Sequence, residues 1–169
     1  MPSRKQRPSR QLNPQAETDD SAEEVYQQSY ATALRLLARR EHSELELRHK
    51  LAARKFTDAV INAVLVGLLD EGLLSNRRFT EIYVRGRFER GYGPARIQAG
   101  LRERGIDGDL MEQALAELSQ LWIDSAARQR NKRFGCRVPD EYRARVKQMR
   151  FLQQRGFTGE QIRAVFDSA

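Results

Sequence analysis

The chain has 169 residues, a mass of 19.5 kDa and a net charge of +7, with 40% hydrophobic and 31% charged residues. That length suits one ordinary domain or a few small stacked units. No window approaches about eighteen uncharged apolar residues, which excludes a membrane-spanning helix, and the basic N-terminus lacks the apolar stretch of a secretory signal.

Residues 1–25 read as a disordered tail. Pro2, Pro8 and Pro14 interrupt it, and its charge is segregated, basic through Arg10 and acidic from Glu17 to Glu24. Everything after it reads helical, because apolar residues recur at three and four and strand alternation is absent. The first helix is expected over roughly Val25 to Arg40, with Tyr30, Ala33, Leu34, Leu37 and Ala38 on one stripe. Ser43-Glu-Leu-Glu46 reads as a capping box, Ser43 accepting from the Glu46 amide and the Glu46 carboxylate reaching back. A second helix follows to about Arg54, and Thr57 or Asp58 caps a third, whose stripe is Val60, Ile61, Val64, Leu65 and Leu68. Gly72 ends it as a Schellman stop, with Leu73 or Leu74 making the hydrophobic contact.

The same grammar then returns twice. Leu51-Ala-Ala-Arg54-Lys55-Phe56-Thr57 is echoed by Leu101-Arg-Glu-Arg104-Gly105-Ile106-Asp107 and by Leu152-Gln-Gln-Arg155-Gly156-Phe157-Thr158. The following helices match too: Ile61, Val64 and Leu65 correspond to Met111, Ala114 and Leu115, and to Ile162, Val165 and Phe166. A period of ~50 residues means an array of supersecondary units. The expected fold is therefore all-α: an elongated tandem array of three three-helix modules, about nine helices in all, without a sheet. Module boundaries fall at 26–75, 76–118 and 119–169. The middle module opens near Ser75 with Phe79, Ile82, Tyr83 and Phe88 as its apolar set. Gly91-Tyr-Gly93-Pro94 turns the chain, and Pro94 suits the first position of the next helix. The last module opens near Leu121-Trp122-Ile123, stops at Gly135, and resumes from Pro139 with Tyr142, Val146 and Met149 facing inward.

The catalytic inventory is poor. His42 and His49 have no Cys or carboxylate at metal spacing, where a zinc site needs about four ligands, and read as surface or half-buried structural histidines. A lone Cys136 forms no internal disulfide, in keeping with a reducing cytoplasm, and reads as an ordinary loop or core thiol. Gly91-Tyr-Gly93 lacks the Gly-Lys-Ser/Thr of a phosphate loop. No cofactor, metal or small-molecule substrate is expected, and no enzyme.

Charge is more informative. Residues 119–169 carry eleven basic and five acidic side chains, and Arg128 to Arg155 alone hold ten basic residues against Asp140 and Glu141. Arg143, Lys147 and Arg150 stand at i, i+4 and i+7, a stripe beside the core stripe, and Arg128, Lys132 and Arg133 do something similar on the preceding helix. Such rows repel themselves unless a partner uses them. Arg87, Arg90, Tyr92 and Arg96 around the Gly-Tyr-Gly-Pro turn form the second candidate surface.

The segments Ala33-Leu34-Arg-Leu-Leu37-Ala-Arg39-Arg40-Glu-His42-Ser43-Glu44-Leu45-Glu46-Leu47-Arg-His-Lys50-Leu51 and Leu68-Leu-Asp70-Glu-Gly72-Leu73-Leu-Ser75-Asn76-Arg-Arg78-Phe79 closely resemble the opening motifs of RecX regulatory proteins. Tyr83-Val-Arg85, Gly91-Tyr-Gly93-Pro-Ala-Arg96-Ile97 and Leu101-Arg-Glu-Arg104-Gly105-Ile106 are equally typical. The resemblance runs from about Tyr26 to Asp167. It is looser in the third unit, where Gln148 stands at the position of Leu47 and Ile97. It implies a cytoplasmic, non-enzymatic protein that binds the RecA–DNA filament in its helical groove and restrains ATPase, strand exchange and SOS co-protease activity in repair and recombination. An alternative is a direct, weakly sequence-specific helical DNA-binding protein, since three-helix units resemble helix-turn-helix domains. Against specific base reading, the candidate helix starts Thr57-Asp58, Asp107-Gly108 and Thr158-Gly159 are acidic or small.

Overall fold

The structure is a computed structural model that describes residues 14–167, with side chains from Ser21 onward. Among the described residues there are nine α-helices and no strand. They run α1 (Pro14–Leu37), α2 (Glu44–Ala52), α3 (Asp58–Asp70), α4 (Asn76–Glu89), α5 (Pro94–Arg102), α6 (Gly108–Ala116), α7 (Trp122–Phe134), α8 (Tyr142–Gln154) and α9 (Gly159–Asp167). A short 3-10 turn, Ser119–Leu121, leads into α7. Helix α1 begins at Pro14 rather than Val25. The second half of the expected tail is thus helical, and residues 1–13 lie outside the described residues. Helices α1–α3, α4–α6 and α7–α9 form three successive modules, and in each the first helix packs on the third.

The repeated heptad is the stop between the second and third helix of each module. Lys55, Gly105 and Gly156 occupy the same left-handed position, with φ of 66°, 73° and 90°. Two of the three are glycine, the residue that enters this region without penalty. Ile106 and Phe157 donate back to the carbonyls of Leu101 and Leu152, at 3.0 and 3.2 Å, which closes the Schellman turn and seats the following apolar side chain. Ile106 and Phe157 are buried, whereas Phe56 is only partly so. All nine third-helix residues that correspond between modules, Ile61 through Phe166, are buried. The stop after α3 has the same form: Leu73 donates to Leu68 O at 2.9 Å, and it is Leu74, not Leu73, that enters the core.

Ser43 caps α2, accepting from the Glu46 amide at 3.1 Å. The reciprocal half of that capping box is missing, because the Glu46 carboxylate is engaged by Arg40 and Arg104. A complete box forms instead at α9, where Thr158 Oγ1 accepts from the Gln161 amide and Gln161 Oε1 from the Thr158 amide.

The apolar interior divides unevenly. Module one has its own core around Leu47, Leu51, Ile61 and Leu68. Modules two and three share a second one, from Phe79 and Leu101 through Trp122 to Leu152 and Phe166. Four expected inward residues face elsewhere: Leu34 and Ile82 are exposed, Ala38 is exposed just past the end of α1, and Tyr142 is 79% exposed. Val84 takes the place of Ile82 in the core. Helix α8 starts at Tyr142 with Glu141 as its cap, three residues after Pro139, so Tyr142 has no preceding turn to hold it against the core.

Candidate functional site

Two joints connect the modules, and they differ in chemistry. At the first, Glu46 of α2 accepts from Arg104 Nε of α5 at 3.0 Å and from Arg40 Nη1 at 2.8 Å. Asn76 Oδ1 accepts from the Glu44 amide at 2.9 Å, and Arg78 pairs with Glu41 at 2.8 Å while also binding the carbonyls of Gly72 and Leu73. Burial pushes the Glu46 carboxyl up, but the Arg40 hydrogen bond and the charges of Arg40 and Arg104 outweigh it and hold the group below its ordinary range. His42 lies beside this joint, buried rather than surface-exposed, with Nδ1 3.0 Å from the Arg40 carbonyl. Burial, and then the Arg40 charge, lower its pKa. His49 is exposed on α2.

At the second joint the backbones meet directly. Gly93 N donates to Arg155 O at 2.8 Å and Ala95 N to Gly156 O at 3.0 Å. A Cβ on Gly93 would fall on the Gly156 carbonyl, and one on Gly156 would fall on Arg96. The Gly-Tyr-Gly-Pro turn is therefore a docking latch for the third module, which explains glycines that no phosphate loop requires. Arg104 and Arg155 are the same residue of the repeat, and each reaches back to the preceding module. Arg104 binds Glu46, and Arg155 Nη1 binds the carbonyls of Arg90 and Gly91 at 3.1 and 3.0 Å.

In the repeat register Arg96 stands where Glu46 stands in module one, so the second joint has a second guanidinium in place of the carboxylate. Arg96 donates to Gln154 O at 3.0 Å. Tyr92 accommodates the crowding: the guanidiniums of Arg96, Arg155 and Arg87 lie 4.8, 5.6 and 5.7 Å from its ring centre. Phe151 is flanked in the same way by Arg133 at 4.9 Å and Arg155 at 5.2 Å, and meets Phe134 edge to face.

Apart from Arg87, these residues wall an open cleft of about 810 Å³ between α5, α7 and α8. Of the ten residues picked out by sequence, six line it: Tyr92, Arg96, Arg133, Arg143, Lys147 and Arg150. The cleft contains no acidic side chain. Arg143, Lys147 and Arg150 are exposed along one face of α8. Arg87 and Arg90 line a second groove near module one, and Arg128 and Lys132 are exposed on α7 apart from both. Tyr142, Phe134, Phe151 and Arg155 also line the cleft, with Val146 and Gln154, although sequence did not mark them as contact residues. For Arg155 the signal was present, since the repeat made it the counterpart of Arg104. Arg130 is buried, held by Asn131 Oδ1 and the Cys136 carbonyl, and Cys136 itself is exposed. Among the described residues no three His, Cys, Asp or Glu side chains gather as metal ligands, and no helix is long and apolar enough to cross a membrane.

Chemically, the cleft suits a polyanion: guanidiniums for forked contacts and aromatic rings for flat groups. Comparison with known proteins gives the architecture a family. Models of the first, second and third three-helix domains of RecX match residues 30–67, 75–115 and 123–166. Regulatory protein RecX of Halorhodospira halophila is 45% identical over 137 residues, covering 81% of this chain and 85% of its own. That of Pseudomonas entomophila is 42% identical over 131 residues, covering 78% and 84%. Among solved structures, RecX from Lactobacillus salivarius superposes with a TM-score of 0.74 at 24% identity, over 86% of this chain and 96% of that one. Another regulatory protein RecX gives 0.79 at 20% identity, over 94% and 79%. Those two share the fold, while the closer sequences and the three matched domains, in order along most of the chain, establish descent: the chain belongs to the RecX family of regulatory proteins.

Proposed function

We propose that this chain is a non-enzymatic cytoplasmic modulator of the RecA recombinase, which binds the RecA–DNA filament and restrains its ATPase, strand exchange and SOS co-protease activities. Family membership supports the regulatory role, and the acid-free cleft between modules two and three is the observation that carries the mode of binding. Arg143 to Arg150 span about 10 Å of helix, enough to meet two or three backbone phosphates. Arg96 and Arg133 line the same cleft, so a strand lying along α8 is held from more than one module. Counterion release from such contacts makes binding salt-dependent.

RecA turnover on single-stranded DNA tests this. ATP hydrolysis should fall as the protein is added, and the protein alone should hydrolyse nothing. Unchanged turnover across a wide titration would rule out a modulator, and ATPase activity of the isolated protein would rule out a non-enzyme. The same cleft supports direct DNA binding as the second reading. That reading is the right one if DNA is bound equally well with and without RecA while turnover is unaffected.

A further inference from the structure

Between α4 and the connection from α1 to α2 lies the second groove, about 390 Å³ in volume. Its floor is apolar: buried Phe79, half-buried Tyr83 and Ile82, which is 59% exposed. One turn beyond Ile82 on the same face is Gly86. A Cβ on Gly86 would meet nothing within 4 Å. Glycine is unfavourable inside a helix relative to alanine. No neighbour among the described residues requires it here, but a surface pressed against the helix from outside would.

The charges around the floor are asymmetric. Glu41 and Glu46 line one wall and are paired with Arg78, Arg40 and Arg104. Arg87 and Arg90 line the other and have no carboxylate partner among the described residues. Carboxylates in the wall and an exposed isoleucine on the floor make this a poor seat for phosphate, in contrast to the acid-free cleft between modules two and three. The volume admits one or two side chains rather than a folded element.

We infer that this groove takes a short protein segment bearing one large apolar side chain, seated on Ile82 and Gly86, with flanking carboxylates directed at Arg87 and Arg90. Resting on the proposed RecA role, it assigns the groove to the protein of the filament and leaves the DNA to the cleft between modules two and three. The two kinds of contact are then separable by substitution.

The test uses the full chain with Gly86→Leu, which fills the groove in a helix that has room for it, and Ile82→Glu, which places a charge at an exposed position. Fluorescence anisotropy follows binding of DNA-free RecA and, separately, of a single-stranded oligonucleotide. Both variants should keep the parent's melting temperature or exceed it and bind the oligonucleotide as the parent does. They should bind RecA about tenfold more weakly, as expected on losing a central anchor. Parental affinity for RecA in both variants overturns the assignment, and so does an equal loss of oligonucleotide binding. If the parent itself does not bind DNA-free RecA, the assignment falls, while RecA turnover on DNA decides independently whether the chain is a modulator.

Discussion

Gly93 and Gly156 belong to different modules and meet backbone to backbone, each leaving no room for a Cβ on the other's side of the joint. Gly156 also has φ of 90°, a conformation L side chains rarely adopt. Gly93→Ala and Gly156→Ala should each cost about 2–3 kcal/mol, from overpacking against backbone that cannot yield. Gly86→Ala is the control, since that position is open and helical, and it should gain about 0.5–1 kcal/mol. Urea denaturation of the three variants checks the contrast. Equal effects at all three positions would mean the joint is not close-packed.

Ile106→Ala should cost about 2–5 kcal/mol, and Phe157→Ala about 3–5, as buried side chains on the repeated stop. Phe56→Ala should cost less, about 1–2 kcal/mol, because its side chain is only partly buried in module one. Denaturant midpoints at constant slope give the ranking.

Stability should decline in two steps as pH falls. The folded pKa of His42 lies below its ordinary 6.5, chiefly through burial. The unfolded chain takes up that proton first, so stability is full above the unfolded value and is lost as pH drops through the folded one. One proton gives a slope of at most about 1.4 kcal/mol per pH unit. Glu46 is likewise below its ordinary 4.5: burial raises it, and Arg40 and Arg104 more than compensate. Its stabilisation is therefore full above about 4.5 and fades below. His42→Asn should abolish the first step. Glu46→Gln should remove the second and cost about 1 kcal/mol near neutrality, since a partly exposed pair is screened by solvent. Unfolding free energies at pH 7, 5.5 and 4 separate the two.

Replacing Arg143, Lys147 and Arg150 together by Ala should leave the fold intact, because all three are exposed and off the core stripe. Binding to the RecA–DNA filament should weaken. Its logarithmic salt dependence should become shallower by about 0.7–0.9 for each phosphate that the variant no longer neutralises. A variant that binds and inhibits like the parent at several salt concentrations would reduce the row to a solvated face.

What the sequence made legible was local. The Leu-x-x-Arg-Gly stop encodes a turn geometry within seven residues, so Gly105, Gly156 and the burial of Ile106 and Phe157 followed from the pattern, but the same pattern marks Phe56 for burial and Phe56 is only partly buried. Ser43 was legible as a cap, but the partner of Glu46 was not. The capping box competes with Arg104, which only tertiary packing delivers, and a charge-assisted bond to guanidinium is stronger than one to a backbone amide. Periodicity placed Tyr142 with Val146 and Met149. It failed there because Tyr142 is the first residue of α8 and has no helical turn before it. The close approach of Gly93 and Gly156 left a trace in the sequence, the glycines of Gly-Tyr-Gly-Pro, legible there as a turn but without its partner.

The division of the interior into two cores has a consequence for how the chain is made. Synthesis runs from the N-terminus, and domains generally fold as they emerge. Once Leu74 has cleared the ribosome, module one has every residue of its core and can close around Leu47 and Leu68. The middle module cannot do the same, because Leu101 and Ile106 belong to a cluster completed only by Leu152, Phe157 and Phe166 near the C-terminus. For that interval its apolar faces are open to water and to neighbouring nascent chains. The middle of the protein, flanked by folded structure on one side and unfinished chain on the other, is therefore where chaperone demand and misassembly during translation should concentrate.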